Sequence, residues 1–127
     1  MALVLCTGSN RALMQTRRMI LESAGHSVVE ASSFAEVQDT CAKHDFDVVV
    51  IGQSVIPNEK KRIRTLVREV CSSAKVLELY STWAERVIDD ADVALQVPAE
   101  TPTNLADAVE ELASRKKTRR QTTDRDH

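Results

Sequence analysis

The sequence predicts a single α/β domain built on a parallel sheet, and three observations predict it. Short apolar runs alternate with segments of helical period along the chain. Strict alternation of strand and helix implies βαβ crossovers, hence parallel strands with helices on both faces. The run Val48-Val49-Val50-Ile51 has no polar break, as a central strand buried on both faces requires. A length of 127 residues suits one domain and buries enough surface to need neither a disulfide nor a metal.

Ala2 to Thr7 is the first strand, ended by the turn residues Gly8-Ser9-Asn10. Arg11 to Ala24 has helical character, with Leu13, Ile20, Leu21 and Ala24 on a common face and Gly25 as its left-handed terminator. Ser27 to Ala31 is a second strand, polar enough for a sheet edge. Ser32 or Ser33 caps the next helix, with Glu36 placed to complete a capping box from Ser33. Phe34, Val37 and Cys41 then recur at helical spacing.

Phe46 to Ile51 is the third strand. Asn58 is the expected cap of a helix to about Ser72, whose stripe is Ile63, Leu66, Val67, Val70 and Cys71. Lys75 to Tyr80 is a fourth strand, followed by a short helix over roughly Trp83 to Asp89, and Val93 to Val97 is a fifth. Thr103 to about Arg115 closes the domain, with Leu105, Ala108, Val109 and Leu112 on one face. Residues 1–115 therefore form one domain, and 116–127 are a basic tail expected to be disordered.

Composition narrows the function. Aromatic residues are 3% of the chain, so the core is aliphatic and no base-stacking surface is expected. The last fourteen residues carry six Lys or Arg against two Asp, and the rest carries eleven against seventeen Asp or Glu. An acidic body with a basic tail lacking interleaved aromatics does not suit nucleic acid. Cys6, Cys41 and Cys71 are odd in number and sit in apolar stretches, which fits small buried hydrophobes in a reducing cytoplasm. No apolar run approaches the roughly 20 residues that span a bilayer, and MALVLCTGSN lacks the basic start of a signal peptide.

His26, His44 and His127 share no metal-ligand spacing and are expected at the surface. Ser9, Ser54 and Ser81 gather near the strand ends but have no histidine base, so hydrolysis is not expected. The Thr7-to-Asn10 turn precedes a helix, as in anion cradles, but lacks a phosphate-loop fingerprint and reads as an ordinary turn. Glu78 interrupts an apolar strand, and the expectation is that it reaches past a helix edge, the alternative being a buried carboxylate with a partner. Lys60, Lys61, Arg62, Arg64 and Arg68 crowd one helix start, against the macrodipole. They read as a solvated face or as a docking site for an acidic partner.

The ordered pieces ALVLC, AGHSVVEASSFAEV, FDVVVI, IPN and ADVALQVPAE together resemble the receiver domains of two-component response regulators, over about residues 2–115. The resemblance implies a flavodoxin-like three-layer (βα)5 sandwich with strand order 2-1-3-4-5. It also implies a phosphorylation pocket of an acid pair, an acceptor aspartate, a hydroxyl and a lysine, with Mg²⁺ bound by the acids.

In this chain the acid pair falls on Gly8 and Ser9, and the acceptor on Gly52 or, one register on, Gln53. The hydroxyl falls on Tyr80 or Ser81 and the lysine on Val97. With no carboxylate at these positions, Mg²⁺ binding and aspartyl phosphorylation are not expected. The resemblance then implies a non-enzymatic signalling domain that contacts a protein partner or a second copy of itself. Its output face lies over Trp83 to Leu112, with Trp83, Val87, Gln96 and Leu105 as candidate contacts. The alternative is a sensor of a small ligand or anion in the vacated crevice.

Overall fold

The computed structural model describes residues 2–81, 85–97 and 104–125, with side chains described as far as residue 114. Five parallel strands, β1 (Leu3–Thr7), β2 (Ser27–Ala31), β3 (Val48–Ile51), β4 (Lys75–Tyr80) and β5 (Val93–Gln96), pair in the order β2-β1-β3-β4-β5. Four helices are present among the described residues: α1 (Arg11–Ser23), α2 (Phe34–Lys43), α3 (Pro57–Val70) and α4 (Asn104–Arg125). The expected fold class and strand order are those observed.

Alternation along each strand splits the core in two. Leu5, Val49, Ile51 and Val76 face α2 and α3, whereas Val4, Cys6, Val48, Val50, Leu77 and Leu79 face α1 and α4. β3 is buried at every position, and β2 is the edge its polarity predicts.

The helix ends follow side-chain chemistry. Asn10 caps α1 by accepting from the Leu13 amide, and Ser33 caps α2 by accepting from Glu36. The Glu36 carboxylate reaches back to the Ser32 amide and hydroxyl. α3 departs from expectation: Ile56 is its cap and Pro57 its first residue, with no side-chain cap bond. Proline is preorganised for that first position and has no amide to leave unpaired, so Asn58 lies inside the helix. Gly25 follows α1 with φ at 92°, as a left-handed terminator requires.

Four further expectations need correction. Glu85 to Ile88 are not helical, and Trp83 lies outside the described residues. The α1 face that meets the sheet is Met14, Arg17 and Leu21, so Ala24 is exposed. Val70 is likewise exposed on α3. The α4 helix runs to Arg125 rather than ending near Arg115, because the added residues include no Gly or Pro and several good helix formers.

His26 is also buried rather than at the surface. Its Nδ1 accepts a hydrogen bond from the Ala2 amide at 3.0 Å, so the neutral ring carries its proton on Nε2. Among the described residues that Nε2 is buried with no partner.

Burial holds the His26 pKa below its ordinary 6.5, helped by the terminal amino group and opposed by Glu110 and Asp47. The unfolded chain therefore takes up the proton at higher pH than the folded one. Stability should be unaffected by this group above about 6.5 and should fall as pH drops from there towards the lower folded value. Urea midpoints across that range should show the slope, and His26→Gln should remove this component of it.

Candidate functional site

In a sheet of this order the crevice lies beyond the carboxyl ends of the strands, where β1 and β3 lead to opposite sides. The residues gathered there are Gly8 and Ser9 after β1 and Gly52, Gln53 and Ser54 after β3. The two loops are stitched together: the Ser54 hydroxyl accepts from the Ser9 amide at 3.2 Å, and the Ser9 hydroxyl donates to the Ser54 carbonyl at 3.2 Å. Below them the Thr7 hydroxyl donates to the Val50 carbonyl, and the Gly52 amide donates to the Thr7 carbonyl at 3.0 Å.

This last contact brings two backbones very close. A Cβ on Gly52 would meet the Thr7 carbonyl oxygen at 2.6 Å and the Arg17 guanidinium at 3.1 Å. Glycine is required here by space.

Arg17 comes from the sheet-facing row of α1, where Met14 and Leu21 flank it at helical spacing. It is 7% exposed and donates from Nη2 to the Gln53 side-chain oxygen. Burial lowers its pKa from the ordinary arginine value, partly offset by Cys6, and arginine stays charged at neutral pH. The strand-end crevice thus holds a cation from within the fold. On the other side of the sheet a cavity of ≈ 170 Å³ lies among Gly8, Ser9, Ser54, Val55 and Glu59, smaller than typical ligand pockets.

At the β4 end, Tyr80 and Ser81 are half-buried, and the Tyr80 carbonyl accepts from the Val97 amide at 2.7 Å. Ser81 does not line the cavity on Gly8, Ser9 and Ser54. The structure therefore brings Gly8, Ser9, Gly52 and Gln53 together, while Tyr80 and Val97 continue the β4–β5 pairing and Ser81 follows β4.

Sequence reasoning placed Glu78 and Lys60 wrongly. Glu78 is 0% exposed and Lys60 is 1% exposed. The Lys60 Nζ donates to the Glu78 carboxylate at 3.1 Å and to the Leu79 carbonyl at 2.9 Å. Glu78 also accepts from the amides of Val87 at 2.6 Å and Ile88 at 2.9 Å. The signal was available in the spacing: Lys60 precedes Ile63 and Val67 by three and seven residues, and Glu78 alternates in phase with Val76.

Three more α3 cations are also engaged within the fold. Arg64 pairs with Asp90, Arg68 donates to the Asp90 carbonyl at 3.0 Å and lies 3.5 Å from the Asp92 carboxylate. Arg62 covers the Phe34 ring at 4.1 Å. Asp92 in turn accepts from the Val76 amide at 2.8 Å. The row 60, 64 and 68 straps α3 to β4 and the β4–β5 connection, which accounts for three of the five basic residues without a partner molecule.

Solved structures carry the same architecture. A response regulator receiver domain protein from Clostridium thermocellum superposes with a TM-score of 0.77 at 20% identity, covering 93% of this chain and 98% of that one. A CheY-like receiver domain protein from Methanospirillum hungatei gives 0.80 at 14% identity, over 92% and 97%. The chemotaxis protein CheY4 of Vibrio cholerae gives 0.69 at 21%, over 88% and 98%. The chain has the receiver-domain fold. No protein-family model matches the sequence, and no curated protein sequence matches it significantly.

Within this receiver fold, the candidate contact residues separate by burial. Leu105 is buried at 7% against the sheet, so it serves the core and not a partner, because α4 turns Leu105, Val109 and Leu112 inward together. Gln96 is exposed, and Val87 is half-buried with its amide held by Glu78. Among the described residues no helix is long and apolar enough to cross a membrane.

Lys60→Met should leave a buried carboxylate without its counter-ion and destabilise the domain by about 3–5 kcal/mol, read from urea unfolding. Glu78→Leu should strip the Val87 and Ile88 amides of their acceptor. Hydrogen exchange at those two amides should then accelerate far more than exchange in β1 or β3.

Proposed function

We propose that this chain is a receiver-fold signalling domain of a two-component system that takes no phosphoryl group and acts through protein–protein contact. It is not an enzyme, and its place is the cytoplasm, a compartment that suits three free, buried thiols. The observation that carries this reading is the close approach at Gly52. The resemblance aligns the acceptor aspartate with Gly52, and a Cβ there would overlap the Thr7 carbonyl oxygen and crowd Arg17. The backbone leaves no room for an acceptor side chain.

The Mg²⁺ that accompanies such an acceptor does not fit this crevice either. A hard divalent cation takes carboxylate and other oxygen ligands. The aligned positions are Gly8, Ser9 and Gly52, and a buried guanidinium already occupies the adjoining space. Where an acidic pocket would attract a metal, this one is made cationic by Arg17. The register with Gln53 as acceptor leads to the same result, because the Gln53 side chain is held by Arg17.

With the pocket closed to phosphate, output rests on surface recognition. Gln96 and half-buried Val87 lie on the side of the sheet where β5 forms the edge, and a protein partner or a second copy of the chain is the expected occupant.

Incubating the full chain with acetyl phosphate and Mg²⁺ should add no phosphoryl mass, and a phosphoryl group on any aspartate would overturn the proposal. Gly52→Ala should cost about 1–3 kcal/mol of stability, measured by urea unfolding. Gly52→Asp should not acquire labelling.

A further inference from the structure

Cys41 lies on the buried side of α2, and Cys71 caps the end of α3. Although 30 residues apart in sequence, they meet: the Cys71 thiol donates to the Cys41 carbonyl at 3.5 Å, and it lies near enough to the Cys41 thiol to help raise that group's pKa. Both residues are 4% exposed. They sit just beneath a rim of exposed residues, 42–45 at the end of α2 and 72–73 after α3. Cys6 is in the other half of the core, on the α1 and α4 face of the sheet.

We propose that Cys41 and Cys71 form a redox-active dithiol that a peroxide closes into an intramolecular disulfide joining the ends of α2 and α3. The inference is independent of how the domain signals. One thiol, as thiolate, attacks a peroxide oxygen to give a sulfenic acid and one molecule of water. The second thiol displaces the sulfenic hydroxyl as a second water and forms the S–S bond. In sum, two thiols lose two electrons and two protons, and hydrogen peroxide is reduced to two waters.

Geometry decides which pair reacts. Cys41 and Cys71 are already in contact, whereas Cys6 lies across the sheet. Burial sets the pace, since desolvation pushes the Cys41 thiol up to about 12 and the reactive thiolate forms when the exposed turns around it open. Such turns are at the low-stability end of a fold, so the reaction does not require global unfolding.

The test treats the folded full chain with hydrogen peroxide after removal of reductant. Remaining thiols are then alkylated, and the digest is read by mass spectrometry. The expected result is the loss of two alkylatable thiols out of three, with a single Cys41–Cys71 link, restored by dithiothreitol, and Cys6 still alkylated. Cys41→Ser and Cys71→Ser should each abolish the link, and the wild-type readout stands whether or not those variants fold. A link that includes Cys6, oxygenation of the thiols without a link, or three thiols still alkylatable would each overturn the proposal.

Discussion

A carboxylate closed off from water, that of Glu78, ties together the parts of this domain that secondary structure alone leaves loose. It sits on β4, takes a cation from α3, and accepts two amides from the connection between β4 and β5. The ion pair by itself is a poor source of stability, because desolvating two charges offsets most of their attraction. The amides supply the reason for it. Glu85 to Ile88 are not helical, and amides shielded from water must find acceptors. Glu78 provides them for Val87 and Ile88, and Ile88 can then enter the core beneath α3.

The same solution recurs at the crevice. α1 sends Arg17 inward from a row otherwise apolar, and α3 does so with Lys60. Each cation is met by oxygen supplied from a neighbouring strand or strand end: Gln53 for Arg17, and Glu78 with the Leu79 carbonyl for Lys60. Helices that present charge to a sheet must have it matched there, and the matching group fixes where the connecting chain runs.

The strands and helix faces were largely legible in the sequence, because burial is written as period. The all-buried β3, the edge position of β2 and the Leu105 to Leu112 row of α4 all follow from apolar spacing. Charges inside that spacing were misread. Lys60 was grouped with its basic neighbours along the chain, although its phase places it with Ile63 and Val67. Glu78 was expected to escape past a helix edge, when no such exit exists on a strand buried from Lys75 to Leu79. The absent acids at Gly8, Ser9 and Gly52 were plain in the sequence. The guanidinium beside them was not, since Arg17 lies a turn and a half into α1 and meets Gln53 only through the fold.

Taken together, the two ends of the sheet constrain how this domain can be controlled. A ligand shifts a conformational equilibrium only by binding one state better than the other. At the crevice, the space beside Gly52 is taken by the Thr7 backbone and Arg17. At the β4–β5 connection, the amides and cations are already satisfied from within by Glu78, Asp90 and Asp92. The cations at that connection have their own counter-charges and leave little for an incoming anion, whereas among the described residues Arg17 at the crevice meets only the neutral Gln53 amide. On the proposed reading, control would act on the exposed face beside β5 or at the thiols between α2 and α3.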